Sequence, residues 1–231
     1  MDAVYPLGDG SLWENQEIIY SERLLRKFAP WVDNVYVVGK TAPVGTLIEF
    51  TENQAPAVNI WLKGLEACLD DRVSDPFLYI NDDHFFIKPI PENYPAYYAF
   101  PIALYPHKEY SIGGSKVEHP YQRLVKRTHE VLGDVLFYNV HCPFIVHKEK
   151  YLATMKKYED YIFEDVGLLV KTTYLQGTEG VQMDDYKTKH REDLRSIEIA
   201  TAHRHIFSTS ADISEGAIEF LKKINNFIES K

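Results

Sequence analysis

Two short runs, Val35-Tyr36-Val37-Val38-Gly39 and Phe77-Leu78-Tyr79-Ile80, carry no polar interruption until they end in turn or acidic residues. Unbroken apolar runs of this length mark strands covered on both faces, so both are predicted as central parallel strands. Between them Val58, Leu62, Leu65 and Leu69 recur at helical spacing, behind Asn53 and Pro56, which can open a helix. An earlier helix is predicted from about Asn15 to Phe28, with Ile18, Leu25 and Phe28 on one side, after the apolar segment Val4-Tyr5-Pro6-Leu7.

Residues 89–120 are rich in Pro, Tyr and Gly, and Gly113-Gly114-Ser115 reads as a turn or lid over the acceptor side. Val135-Leu136-Phe137-Tyr138 is predicted as a further strand, and Leu152, Met155 and Tyr158 mark a helix after it. His203-Arg204-His205 alternates like a strand. A last helix, opened by Asp212 or Ser214, carries Ile218, Leu221, Phe227 and Ile228. The alternation of strand and helix predicts an α/β fold: one Rossmann-like domain over 1–231, with a mostly parallel central sheet flanked by helices. In such sheets ligands sit beyond the carboxyl ends of the strands. Residues 1–88 would form the nucleotide- and metal-binding half, and 89–231 the acceptor-side half.

Composition narrows the partners. The 231 residues carry a formal charge of −9, from 25 Lys+Arg against 34 Asp+Glu, which disfavours a phosphate-tracking surface for duplex DNA. The densest basic stretch, with Lys116, Arg123, Lys126 and Arg127, also contains Glu118 and His119. Nucleic acid is therefore the less favoured partner. No stretch approaches the roughly 20 apolar residues of a membrane span, and the first residues show no readable secretory or organellar address, so a cytoplasmic location is expected. Two cysteines, Cys68 and Cys142, imply no disulfide framework.

Asn81-Asp82-Asp83 directly follows an apolar run, which sets its carboxylates at the ligand-binding edge of the sheet. Paired carboxylate oxygens suit Mn²⁺ or Mg²⁺, and such a cation neutralises a nucleotide diphosphate leaving group. A turn with one capping and one solvated aspartate is the plain alternative. Asp9-Gly10-Ser11 lets backbone approach a ligand after the first apolar segment, as any tight turn also would. Asn59 and Lys63, one helical turn apart, would offer an amide and a cation to the same crevice. His141 suits a proton donor, a phosphate partner or a third metal ligand.

In order along the chain, several segments resemble the Stealth family, the bacterial capsule sugar-phosphate transferases and their eukaryotic lysosomal-targeting relatives. Asp2 to Tyr5 with Asp9-Gly10-Ser11 is similar to its first block. Phe28-Ala29-Pro30-Trp31-Val32 with Val35-Tyr36-Val37-Val38 is similar to the start of its second, and Asn81-Asp82-Asp83-His84-Phe85-Phe86 to its acidic hallmark. His141-Cys142-Pro143-Phe144 with Lys148 is similar to the third block, and Ile206-Phe207 through Asp212 more weakly to the fourth. The shorter chain also resembles compact bacterial and phage glycosyltransferases with a GT-A-like fold.

That resemblance implies a nucleotide-diphospho-sugar donor, a divalent metal on Asp82 and Asp83, a functional histidine at His141 and a further acidic ligand, for which Asp212 is the candidate. A glycosyltransferase acting on a carbohydrate or small hydroxylated acceptor is the expected activity. An inverting reaction would need a base, for which Glu164 or Asp165 are candidates, with Asp184 and Asp185 as rivals. The alternatives are transfer of a sugar-1-phosphate, with attack on phosphorus, and a non-catalytic module that binds a nucleotide-sugar or glycan.

Overall fold

The computed structural model describes residues 1–8, 13–106, 109–112, 115–164, 166–209 and 213–229. The predicted alternation of strand and helix is present in β1 (Asp2–Pro6), α1 (Glu17–Phe28), β2 (Val35–Gly39), α2 (Pro56–Leu69) and β4 (Phe77–Tyr79), with an unpredicted strand, β3 (Thr46–Glu49), between β2 and α2. After β4 come β5 (His84–Phe86), β6 (Tyr97–Tyr98), the hairpin of β7 (Glu109–Ile112) and β8 (Ser115–Glu118), α3 (Pro120–Leu132) and β9 (Phe144–Val146). The remainder is α4 (Lys148–Lys157), α5 (Glu159–Ile162), α6 (Val170–Leu175), β10 (Val181–Gln182), α7 (Leu194–Thr201), β11 (Ile206–Ser208) and α8 (Glu215–Glu229).

The central sheet runs β3-β2-β1-β4-β9. Its first three pairings are parallel, while β9 runs antiparallel to β4 with Tyr79 opposite Phe144. The result is an α/β fold with a mostly parallel central sheet flanked by helices. Strands are added outward from β1 to β3, and then the chain returns to place β4 on the other side of β1. That reversal leaves a crevice between the carboxyl ends of β1 and β4.

Strict alternation divides the strand residues between the two faces. Val4, Tyr36, Val38, Phe77 and Tyr79 face a core shared with Trp61 of α2, Tyr151 of α4 and Tyr174 of α6. Ala3, Tyr5, Val35, Val37, Leu78 and Ile80 face the other side, where Ile18 and Leu25 of α1 pack. Leu24 of α1 joins a separate cluster with Phe85, Phe207, Ile197, Phe220 and Leu221, which fixes β5, β11, α7 and α8 to the sheet. Phe85 and Phe207 stack with ring centroids 5.0 Å apart.

Three predicted features differ. Val135–Tyr138 is not a strand: it is extended chain held by one antiparallel bridge between Leu136 and Pro101, with Val135 and Phe137 packed in the cluster of Phe100 and α3 while Leu136 and Tyr138 pack in the core beside the sheet. The sheet strand of this region is β9. In α2 the buried line is Val58, Trp61 and Cys68 together with Asn59, Lys63 and Ala67; Leu62 and Leu65 are half-buried and Leu69 is exposed, because the helix lies against both the sheet and α4. His203, Arg204 and His205 form the turn between α7 and β11 rather than a strand. The last helix begins as expected, with Ser214 Oγ accepting the Ala217 N–H at 3.1 Å. No described helix is long and apolar enough to cross a membrane.

Candidate active site at the carboxyl edge of the sheet

Residues 81–83 turn the chain from β4 into β5. The turn is closed by the His84 N–H donating to the Asn81 carbonyl at 3.2 Å. From below, the Ser21 hydroxyl of α1 donates to the His84 carbonyl at 2.6 Å and contacts the Tyr5 hydroxyl at 3.0 Å, so strand, helix and turn are fixed through buried groups. From the side, the Thr209 N–H after β11 donates to the Asp83 carbonyl at 3.2 Å. Polar side chains at a strand end acquire a fixed position in this way.

Electrostatics sets this turn apart. Burial, the adjacent Asp83 and nearby Glu17 push the Asp82 carboxyl up to about 7, the mark of crowded negative charge. Asp83 Oδ1 is buried without a hydrogen-bond partner, as are the hydroxyls of Thr188, Ser208 and Thr209. These residues are neighbours: Thr188 N–H donates to the Ser208 carbonyl at 2.9 Å, and Ser208 pairs with His84 across β5 and β11. Buried oxygens left unpaired cost free energy, and a hydrated divalent cation satisfies them. Mg²⁺ in particular retains waters and uses one or two carboxylates. Asp83, with one unpartnered oxygen, and the adjacent Asp82 supply the carboxylates that such an ion would use. Among the described residues, no group of three His, Cys, Asp or Glu side chains is arranged to hold one.

His141 reaches the same edge by an unforeseen route. It sits in the irregular segment before β9, and because β9 runs antiparallel to β4, the start of β9 lies at the carboxyl end of the parallel strands. Asp185 clamps it twice: Oδ1 accepts the His141 backbone N–H at 3.0 Å and Oδ2 lies 2.6 Å from Nδ1. Burial acts against the Asp185 charge, but the hydrogen bonds and charge of His141 outweigh it and hold the carboxyl below its ordinary range. A carboxylate on Nδ1 fixes the tautomer and leaves Nε2 as the working nitrogen. His84 is different: burial, with Lys171, His141 and Lys187 nearby, holds its ring well below its usual range and neutral, and its Nδ1 faces the Asn81 N–H at 3.4 Å.

A cavity of about 310 Å³ has Asn81, Asp83, His84, His141, Lys171 and Lys187 among its lining residues, whereas Asp82 and Asp185 do not line it. Its apolar wall includes Ile60, Tyr79 and Phe144. Lys187 Nζ stands 3.5 Å from Asp83 Oδ2. On the other side of the His141–Asp185 pair a second cavity, about 410 Å³, is lined by Tyr186, His203, Arg204 and His205. His141 lines both.

Of the remaining candidates, Asn59 is buried and exchanges hydrogen bonds with the Gln54 backbone, donating at 2.7 Å and accepting at 3.2 Å. Lys63 is buried, donates to the Leu7 carbonyl at 2.6 Å and pairs with Glu52, beneath the end of β1. Both stabilise loops around the crevice, and neither lines the 310 Å³ cavity. Glu164 is paired with Arg127 and also lies outside the lining. Asp184 pairs with Arg204 at 2.6 Å. Asp9, Gly10, Ser11, Asp165 and Asp212, with Gly113 and Gly114, lie outside the described residues. Sequence reasoning missed Lys171 and Lys187, because a lysine in an apolar helix or a loop carries no motif. Asp185 stood as a rival base, and its role as the partner of His141 becomes visible only in three dimensions.

No protein-family model matches the chain, and no curated protein matches it, so the Stealth-like resemblance rests on the motifs alone. Among solved structures, the chain is similar to 4-diphosphocytidyl-2C-methyl-D-erythritol synthase from Anaerococcus prevotii. The two are 11% identical with a TM-score of 0.35, over 99% of this chain and 97% of that one.

Proposed function

We propose that this chain is a metal-dependent transferase that takes a sugar from a nucleotide-diphospho-sugar and passes it to a hydroxyl acceptor, a glycan or small hydroxylated molecule. The supporting observation is the shared cavity: a buried, unpartnered Asp83 oxygen and the carboxylate-held His141 line one space at the switch point of a parallel sheet. Asp82 and Asp83 hold Mn²⁺ or Mg²⁺, which supplies charge neutralisation for the diphosphate leaving group. Lys187 stands beside Asp83 and adds positive charge on the same side. His141 Nε2 accepts the proton of the attacking hydroxyl, and Asp185 stabilises the ring as it becomes charged. The donor lies over residues 1–88, and the acceptor enters from the side formed by 89–231.

The His141–Asp185 pair equally suits attack on phosphorus with transfer of a sugar-1-phosphate. Product analysis separates the two readings, since only the second leaves a phosphate on the acceptor. A binding module without turnover has no use for a carboxylate-oriented histidine. The test of the leading reading is a thermal-shift panel of nucleotide-sugars with and without Mn²⁺. A ligand that binds only the folded state raises the melting temperature. A Mn²⁺-dependent rise with at least one donor is expected, and a full panel with none overturns the assignment.

A further inference from the structure

Lys171 lies at the start of α6, on the wall of the 310 Å³ cavity, and is 8% exposed. Its ammonium donates to the Val140 carbonyl at 2.5 Å and to the Cys142 carbonyl, the two residues that flank His141. Among the described residues no carboxylate lies within ion-pair distance of it: Asp83 pairs instead with Lys187, and Asp185 is occupied by His141. An ammonium has three donors; among the described residues two are used, and the Phe144 ring, its centroid 5.6 Å from Nζ, is a further neutral neighbour. A buried cation with only neutral partners is costly, and proteins retain such a group where an anion completes it. The carbonyls of 140 and 142 aim the group without neutralising it.

Charge across the cavity points the same way. Lys171 and Lys187 face one lining carboxylate, Asp83, and a cation on Asp82 and Asp83 would raise the positive excess further. Uncharged sugar hydroxyls do not answer that excess, whereas a phosphoryl group does. We propose that Lys171 is the buried anion-binding group of a phosphate subsite, which receives a diphosphate on the His141 side of the cavity. This deepens the transferase reading by giving the donor's phosphates a protein contact independent of the metal. It rests on that reading for the identity of the donor, but the subsite itself can be tested without turnover.

The experiment is calorimetric titration of the full chain with inorganic pyrophosphate in EDTA, comparing wild type, Lys171→Gln and Lys171→Arg. Glutamine keeps two N–H donors for the carbonyls of 140 and 142 and removes the charge. Lys171→Gln should weaken pyrophosphate binding roughly tenfold or more, the equivalent of one charge-assisted hydrogen bond, while Lys171→Arg should retain most of it. A folded Lys171→Gln protein that binds pyrophosphate like wild type overturns the proposal, as does a wild type that does not bind it. Where Lys171→Gln fails to fold, the Lys171 Cε resonance of ¹³C-lysine-labelled wild type decides: it moves on addition of pyrophosphate, and a stationary resonance overturns the subsite. Parallel titrations with UDP, CDP, GDP and ADP separate the sources of the anion. Tighter binding of one of them, lost in Lys171→Gln, assigns the subsite to a nucleotide. Binding no tighter than pyrophosphate assigns it to another phosphorylated substrate and leaves the subsite standing. Pyrophosphate binding without any nucleotide-sugar turnover would sink the transferase reading alone.

Discussion

The two halves of the molecule build their contributions to the site in opposite ways. Before residue 88 the candidate groups are local: Asp82 and Asp83 sit in one turn at the end of a strand whose residues are fully buried on both faces. After residue 88 they are assembled from distant segments: His141 from the approach to β9, Lys171 from α6, and Asp185 and Lys187 from the chain between β10 and α7. The first arrangement derives its precision from the sheet. The second derives it from single polar contacts, such as the clamp between His141 and Asp185, 44 positions apart. Damage should therefore be all-or-none in the first half and graded in the second.

The largest expected effect is at the turn. Asp83→Ala should abolish Mn²⁺-dependent donor binding, since the cation contributes several kcal/mol, with the circular dichroism spectrum unchanged. A folded variant with undiminished Mn²⁺ dependence would remove the metal site. In the second half, His141→Ala should reduce kcat by about 10²–10⁴-fold, the usual range for an acid–base group, with donor affinity mostly spared. Asp185→Asn should give a smaller loss, because the imidazole remains and only its orientation and charge partner are changed. Equal losses in binding and rate for His141→Ala would make the ring a ligand rather than a proton carrier.

Stability provides the converse test. Leu78→Ala, in the middle of β4, should cost about 2–5 kcal/mol by denaturant titration, while Asp185→Asn should leave stability far less affected. Comparable losses would contradict the contrast between a sheet-built and a contact-built half. The smallest effect concerns pH. Burial, with Lys88 nearby, lowers the His205 pKa in the folded chain. The unfolded chain then binds the proton first, so the contribution is intact above about pH 6.5 and is lost progressively as the pH falls below it. The melting temperature should decline on acidification, less steeply in His205→Gln, and identical profiles would assign the decline elsewhere.

The same contrast explains what the sequence revealed. β1, β2, β4, α1 and α8 were legible because each has one dominant pattern of burial, and Asn81-Asp82-Asp83 because it abuts such a strand. Val135–Tyr138 misled because its residues alternate between a side cluster with Phe100 and the main core, a form of burial that looks like a strand in one dimension. β9 was hidden because three residues, one of them half-exposed, are too few to establish a period. The face of α2 was misassigned because a helix touching two surfaces buries polar residues, here Asn59 and Lys63, that periodicity assigns to solvent. The partnership of Asp185 with His141 is a contact between loops, and no local pattern encodes it.

The antiparallel pairing of β9 with β4 brings the two ends of the intervening chain together. Tyr79 and Phe144 are opposite one another, so the 64 residues between them leave the sheet and rejoin it one strand spacing away, about 4.8 Å. The roots of this segment are fixed by the sheet, and β5 within it is fixed a second time by its pairing with β11. Chimeras joined at these two positions would keep the Asp82–Asp83 turn only if it travels with the insert. Recombination at this seam would therefore carry Asp82, Asp83 and His141 together, and leave behind Lys171, the Asp185 clamp and the β11 partner of β5.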